Sequence, residues 1–261
     1  MNWQEVSFLQ KPWIKKTAWI IANVFTIGNG AAAITGIVLT FLNVPNMEYW
    51  FARLIAICSI LDFADGKLAR ISGSKKLAVD IDTIMDAFAF GLFPATFIGY
   101  RIAQWSLPGW NIAAGIVAGL AFLCTAWFRL YRFIRRDPLY TPYFSGLPSS
   151  FAAMVIACLV LLPDTEEWVI FISVLIVSGF MISMIPFPSF KGVPSKFDIF
   201  WIISTALMVM GFAVLPNDIM KYLSYGIAVY MVIYLIAGPG YAMKLTDKMK
   251  NKSQVKAKEE M

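Results

Sequence analysis

Residues 61–86 read Leu61-Asp-Phe-Ala-Asp65-Gly-Lys-Leu-Ala-Arg70-Ile-Ser-Gly-Ser-Lys75-Lys-Leu-Ala-Val-Asp80-Ile-Asp-Thr-Ile-Met-Asp86 and lie between two long apolar runs. At helical spacing, Asp62, Asp65 and Ala69 share one face of the first run, and Asp82 and Asp86 share a face of the second. A carboxylate at the centre of a membrane helix costs about 2.5–3.5 kcal/mol on insertion scales, so four cost roughly 10 kcal/mol, less near the interface. A cation offsets such a cost. Facing pairs of oxygen ligands suit one or two Mg²⁺, Mn²⁺ or Ca²⁺ ions. The stretch predicts a metal site inside a membrane protein. The competing reading is structural ion pairing with Arg70, Lys67 and Lys75. One arginine and two snorkelling lysines do not easily neutralise four carboxylates packed between helices.

Working outward, the composition fits a bilayer. Of the 261 residues, 59% are hydrophobic and 15% charged, with a mean hydropathy of +0.68, too apolar for an ordinary soluble domain. The net charge of +6 does not point to nucleic acid, because the basic residues sit in loops between apolar runs and in the C-terminal tail. Cys58, Cys124 and Cys158 fall inside apolar runs without paired spacing and read as packing residues. There is no histidine, which excludes His-based triads and His metal ligands.

The pattern predicts an all-α, polytopic membrane protein. Residues 1–16, with Trp3, Phe8, Leu9, Trp13 and Ile14 among Lys11, Lys15 and Lys16, form an amphipathic segment for the membrane surface. A signal peptide is the alternative, but the following run from Thr17 to about Val44 is too long for one. Residues 17–238 then form the transmembrane catalytic domain, with about eight spans at 18–42, 50–72, 77–102, 110–135, 147–163, 167–186, 198–215 and 219–238. Residues 239–261 form a basic tail, disordered or surface-bound. Lysines and arginines collect before span one, between spans two and three, and after spans four, six and eight. The positive-inside rule therefore puts both termini, and the Asp cluster, on the cytoplasmic side of a prokaryotic cell membrane.

Asp62-x-x-Asp65-Gly66-x-x-Ala69-Arg70 followed by Asp82-x-x-x-Asp86 resembles the signature of the CDP-alcohol phosphotransferases, D-x-x-D-G-x-x-A-R, a spacer, then G-x-x-x-D-x-x-x-D. Ala78 stands where that family has its second glycine, which implies a tighter pocket. Asp86-Ala-Phe-Ala-Phe90-Gly91-Leu-Phe-Pro94 is similar to the D-x-x-x-F-G-x-x-P of the phosphatidylserine synthase branch. So are Phe128-Arg129-Leu130-Tyr131-Arg132-Phe133 (with Ile134 in place of the usual Asn), Phe144-Ser145-Gly146-Leu147-Pro148 and Pro188-Ser189-Phe190-Lys191-Gly192 to its R-L-x-R-F, F-x-G-L-P and P-S-F-K-G.

The resemblance implies joining of an alcohol hydroxyl to the lipid-bearing phosphate of a CDP-linked lipid, with release of CMP. It assigns Asp62, Asp65 and Asp82 as ligands of Mg²⁺ or Mn²⁺, in a two-metal site, and Asp86 as a ligand or as the base. Gly66 and Ala69 would admit the nucleotide, Arg70 would pair with its phosphates, and Asn23 and Thr26 resemble the N-x-x-T of the family's first span. Arg129 and Arg132 share a helix face, either as acceptor or phosphate ligands or as markers of a span end. Asn23, Thr26 and Asn29 read equally as interhelical hydrogen-bonding residues. Gly115-x-x-x-Gly119 reads as helix packing, within the chain or at a homodimer contact. The branch implies CDP-diacylglycerol or an archaeal CDP-ether lipid and L-serine as substrates; the alternative acceptors are glycerol 3-phosphate, inositol phosphate and choline. An ion-coupled transporter is the reading from another class, weakened because the Asp pattern has no second copy.

Overall fold

The computed structural model describes residues 11–73, 77–104, 109–136, 143–163, 165–188 and 196–259, with side chains left aside at 77–80, 136, 143, 188, 196–202 and 244–259. Its helices are α1 (Pro12–Phe41), α2 (Met47–Ser72), α3 (Leu77–Ala87), α4 (Phe93–Ala103), α5 (Asn111–Arg136), α6 (Ser149–Leu161), α7 (Glu167–Ile182), α8 (Lys196–Val214) and α9 (Asn217–Glu259). A π-helical segment, Phe88–Leu92, joins α3 to α4 without a break. The all-α expectation holds, with one addition. Strands β1 (Tyr143–Ser145) and β2 (Pro186–Pro188) pair antiparallel, Phe144 opposite Phe187.

The buried face of α1 carries Ala18, Ala22, Thr26, Asn29, Gly30, Ala33, Gly36 and Thr40, spaced three and four apart, while Ile20, Val24, Ile27, Ile34 and Val38 are exposed. Small and polar residues thus face the protein and bulky apolar ones face outward, the arrangement expected where lipid is the solvent. Pro12 starts α1 at a position where its missing N–H costs nothing. The helix runs straight through the expected boundary at residue 16, and residues 1–10 lie outside the described part. Asn43 and Asn46 take left-handed backbone (φ 48° and 59°) in the turn to α2. Gly73 (φ 70°) ends α2 with its N–H on the Ala69 carbonyl at 3.2 Å.

Helix α2 is the central element, packed on α1, α6 and α8. Its residues Phe51, Ala52, Ile55, Ala56 and Cys58 are fully buried, and Phe51 stacks on Phe97 with centroids 3.9 Å apart and meets Phe93 edge-on at 5.2 Å. Helices α4 and α5 touch backbone to backbone. A Cβ at Gly115 would lie 2.4 Å from the Gly99 carbonyl oxygen, and one at Gly119 2.9 Å from that of Ala95. The Gly115-x-x-x-Gly119 stripe is consumed inside the chain.

Among the described residues, four helical stretches are long and apolar enough to cross a membrane: Pro12–Phe41, Ile81–Ala103, Asn111–Arg135 and Asn217–Met243. The other expected spans differ for identifiable reasons. Helix α2 has 26 residues but carries Glu48, Arg53, Asp62, Asp65, Lys67 and Arg70. Helices α6 and α7 have 13 and 16 residues, short of the ~17 needed for a bilayer core. The basic tail, expected as disordered or surface-bound, continues α9 as helix to Glu259.

Candidate metal and active site

Three elements build the site. The C-terminal half of α2 brings Asp62 and Asp65, α3 brings Asp82 and Asp86, and the polar part of the buried face of α1 brings Thr26 and Asn29. Carboxylate oxygens of Asp62, Asp82 and Asp86 all lie within 4.8 Å of one another. Asp65 is 2% exposed, and its Oδ2 accepts a hydrogen bond from Thr26 Oγ1 at 2.9 Å. Asn29 Nδ2 donates to Asp86 Oδ1 at 3.1 Å. Asp65 Oδ1, Asp82 Oδ1 and Asn29 Oδ1 are buried without a hydrogen-bond partner among the described residues.

Three buried acceptor oxygens without a donor among the described residues are a costly arrangement in isolation. It fits a hard divalent cation, which takes oxygen ligands and charge together. An all-oxygen set without histidine or thiolate argues against zinc or copper. Asp62, Asp82 and Asp86 can hold one ion, and the free oxygens of Asp65 and Asp82 lie on the same two helices for a second. The site is an Asp cluster able to bind a divalent metal.

The other expected residues are placed unequally. A Cβ at Gly66 would meet nothing within 4 Å, so the space beside α2 is open where the nucleotide was expected. Ala69 is half-buried. Arg70 is exposed and folds back on its own helix, its Nε donating to the Gly66 carbonyl at 2.9 Å. Asn23 donates to the Trp19 carbonyl at 3.0 Å, along α1 rather than across to the aspartates. Lys75, Lys76, Ala78 and the Ser189–Gly192 part of the last motif lie outside the described side chains.

The paired arginines divide. Arg129 acts electrostatically on Asp62, donates to Ser149 Oγ at 3.3 Å and lies 5.8 and 5.7 Å from the Phe133 and Phe144 ring centroids. Arg132 is turned toward backbone carbonyls. It is 7% exposed and donates to the Ile182 carbonyl at 2.9 Å, to that of Met181 at 3.2 Å and to that of Ser145. These contacts tie α5 to the β1 strand and to the end of α7. Gly146, at φ 82°, leaves the room: a Cβ there would sit 2.5 Å from Arg132 Nη2.

Asn29, readable equally as an interhelical hydrogen-bonding residue and as a ligand contact, makes an interhelical hydrogen bond; the sequence does not single out Asp86 as its partner. The π segment has no signal in the sequence. It follows Asp86 directly, and the Ala87 carbonyl at its entry accepts the Trp127 indole N–H at 3.3 Å. Such segments often lie at functional sites.

Residues 19–180, more than half of the chain, match the CDP-alcohol phosphatidyltransferase family. The chain belongs to that family. All four aspartates, Thr26, Asn29 and Arg129 fall within the matched part. The family is one of transferases of phospholipid biosynthesis. A relative from Mycobacterium leprae (strain TN), named CDP-diacylglycerol–serine O-phosphatidyltransferase, is 32% identical over 147 residues, which cover 51% of this chain and 47% of the relative. The chain thus matches about half the length of that relative.

Proposed function

We propose that this phosphatidyltransferase condenses L-serine with a CDP-linked lipid, CDP-diacylglycerol or its archaeal ether counterpart, to give a phosphatidylserine-type lipid and CMP. The observation that carries the reading is the meeting of Asp62, Asp82 and Asp86 from two helices within 4.8 Å, in a chain of this family. The choice of L-serine rests on the name of the mycobacterial relative and on the resemblance of four segments to the serine branch.

Asp62, Asp65 and Asp82 would hold Mg²⁺ or Mn²⁺. When bound, the ions would neutralise the diphosphate and the charge that develops on the attacking and leaving oxygens. The serine hydroxyl oxygen bonds to the lipid-bearing phosphorus, the bond from phosphorus to the CMP oxygen breaks, and the hydroxyl proton passes to Asp86. Arg129 would take the serine carboxylate: it lies near enough to Asp62 to act on its charge, and it donates to Ser149 Oγ. The open space at Gly66 admits the nucleotide. The cleft would open sideways to the cytoplasmic leaflet, where lipid tails stay in the bilayer and the polar parts reach water. Both termini would then be cytoplasmic.

The deciding experiment measures CMP release from CDP-diacylglycerol and from a CDP-ether lipid, with Mn²⁺ or Mg²⁺, across L-serine, glycerol 3-phosphate, inositol phosphate and choline. Release that requires L-serine is expected. Release with another alcohol keeps the site and overturns the acceptor.

A further inference from the structure

Helix α1 touches both carboxylate-bearing helices through adjacent turns of its buried face. Thr26 Oγ1 donates to Asp65 Oδ2 at 2.9 Å, and Asn29 Nδ2 donates to Asp86 Oδ1 at 3.1 Å. Thr26 is 5% exposed and Asn29 fully buried. The spacing of three residues aims the two groups in nearly the same direction, one turn apart. The backbone register between α1 and α3 is also set here. A Cβ at Gly30 would fall 2.1 Å from Met85 Sδ, so the residues after Asn29 and before Asp86 are in close contact.

Side-chain chemistry makes these contacts directional. A carboxylate only accepts, so Asn29 must turn its NH₂ to Asp86, and its carbonyl oxygen is left over at the edge of the cluster. Occupying one oxygen of Asp65 and one of Asp86 fixes the rotation of each carboxylate and leaves the second oxygen of each for a ligand. Asp65 Oδ1 is buried without a partner among the described residues, in keeping with this.

We propose that Thr26 and Asn29 are positioning residues of the site: α1 orients Asp65 and Asp86 and so holds the α2 and α3 halves of the centre in register. This replaces a nucleotide contact for Thr26. It rests on the divalent-metal reading of the cluster and is independent of which alcohol is the acceptor.

The test uses the purified full-length protein and Mn²⁺ alone, read by equilibrium binding and by the EPR line shape of the bound ion, with melting temperature as control. Thr26→Val is expected to weaken Mn²⁺ binding about 10–100-fold, the usual cost of losing a group that orients a metal ligand. Thr26→Ser, which keeps the hydroxyl, should bind as the wild type does. Asn29→Leu is expected to change the EPR line shape and to lower the rate of CMP release about 10–100-fold, with KM for the CDP-lipid unchanged. Each effect on the bound ion should vanish when its partner is already replaced: the affinity loss of Thr26→Val in Asp65→Asn, and the line-shape change of Asn29→Leu in Asp86→Asn. Additive losses that follow the melting temperature would make both residues packing residues and overturn the proposal. So would wild-type Mn²⁺ binding and line shape in the single variants. If wild-type protein binds Mn²⁺ but releases no CMP with any alcohol, the function above fails while the coupling between the pairs still decides this one.

Discussion

Asp62, Asp65 and Asp86 differ in their neighbours, and their substitutions should differ in kind. Asp62 belongs to the carboxylate trio within 4.8 Å, and Asp65 keeps one oxygen without a partner among the described residues. Asp62→Asn and Asp65→Asn are expected to weaken Mn²⁺ binding at least tenfold, as read by equilibrium binding. Asp86→Asn should leave Mn²⁺ and CDP-lipid binding within a few-fold of wild type and remove CMP release, because the proton acceptor is lost. Equal loss of metal affinity in all three would make Asp86 a ligand only. The arginines offer a second contrast. Arg132→Met removes a buried guanidinium from three carbonyls and should cost roughly 2–4 kcal/mol of stability, seen as a lower melting temperature in detergent with KM for L-serine unchanged. Arg129→Met should do the reverse, raising KM for the acceptor with little change in melting. At this scale the four aspartates were legible from spacing alone, since few other uses place such charges between apolar runs. Arg129 and Arg132 were not separable, because two residues on one helix face diverge only when the partner strand and helix end are known.

Helix packing follows small residues. Gly99, Gly115 and Gly119 let α4 and α5 meet with their backbones in contact, so Gly115→Ala forces a Cβ toward the Gly99 carbonyl. A destabilisation of about 1–3 kcal/mol is expected, measured by thermal unfolding in detergent. Gly179→Ala, where a Cβ would meet nothing within 4 Å, is the matched control and should be close to neutral. The glycine stripe was legible as a contact but not as to which one, since a self-complementary groove reads alike within a chain and between chains. The C-terminal ends of α1 and α2 lie within a residue of the expected 42 and 72, whereas α1 starts at Pro12, inside the expected surface segment. The β1–β2 pair was not legible. Its partners lie more than 40 residues apart, and Pro186 and Pro188 argue against a strand until one sees that only a short edge pairing is made.

At the scale of the whole molecule, α2 binds the site to the core. The helix runs from Glu48, which meets Arg101 at 3.7 Å, to the aspartates near its other end. Arg101 also pairs with Glu167 at 2.9 Å, so α2, α4 and α7 are clamped at the end of the bundle away from the site. Stripping divalent ions with EDTA should abolish CMP release without unfolding this bundle, and Mn²⁺ should restore it; near-ultraviolet circular dichroism and CMP assay read the two. The joint between the two ends is the π segment, Phe88–Leu92, with Asp82 and Asp86 before it and the buried Phe93 and Phe97 after it. A π turn holds one residue more than an α turn. Winding the same residues as a continuous α-helix would rotate its halves against each other by about 100°. Either the aspartates would swing off α1 or the phenylalanines would leave Phe51. A bilayer sets the length of a span, but this fold also fixes its winding, so the π turn is dictated by angle and not by thickness.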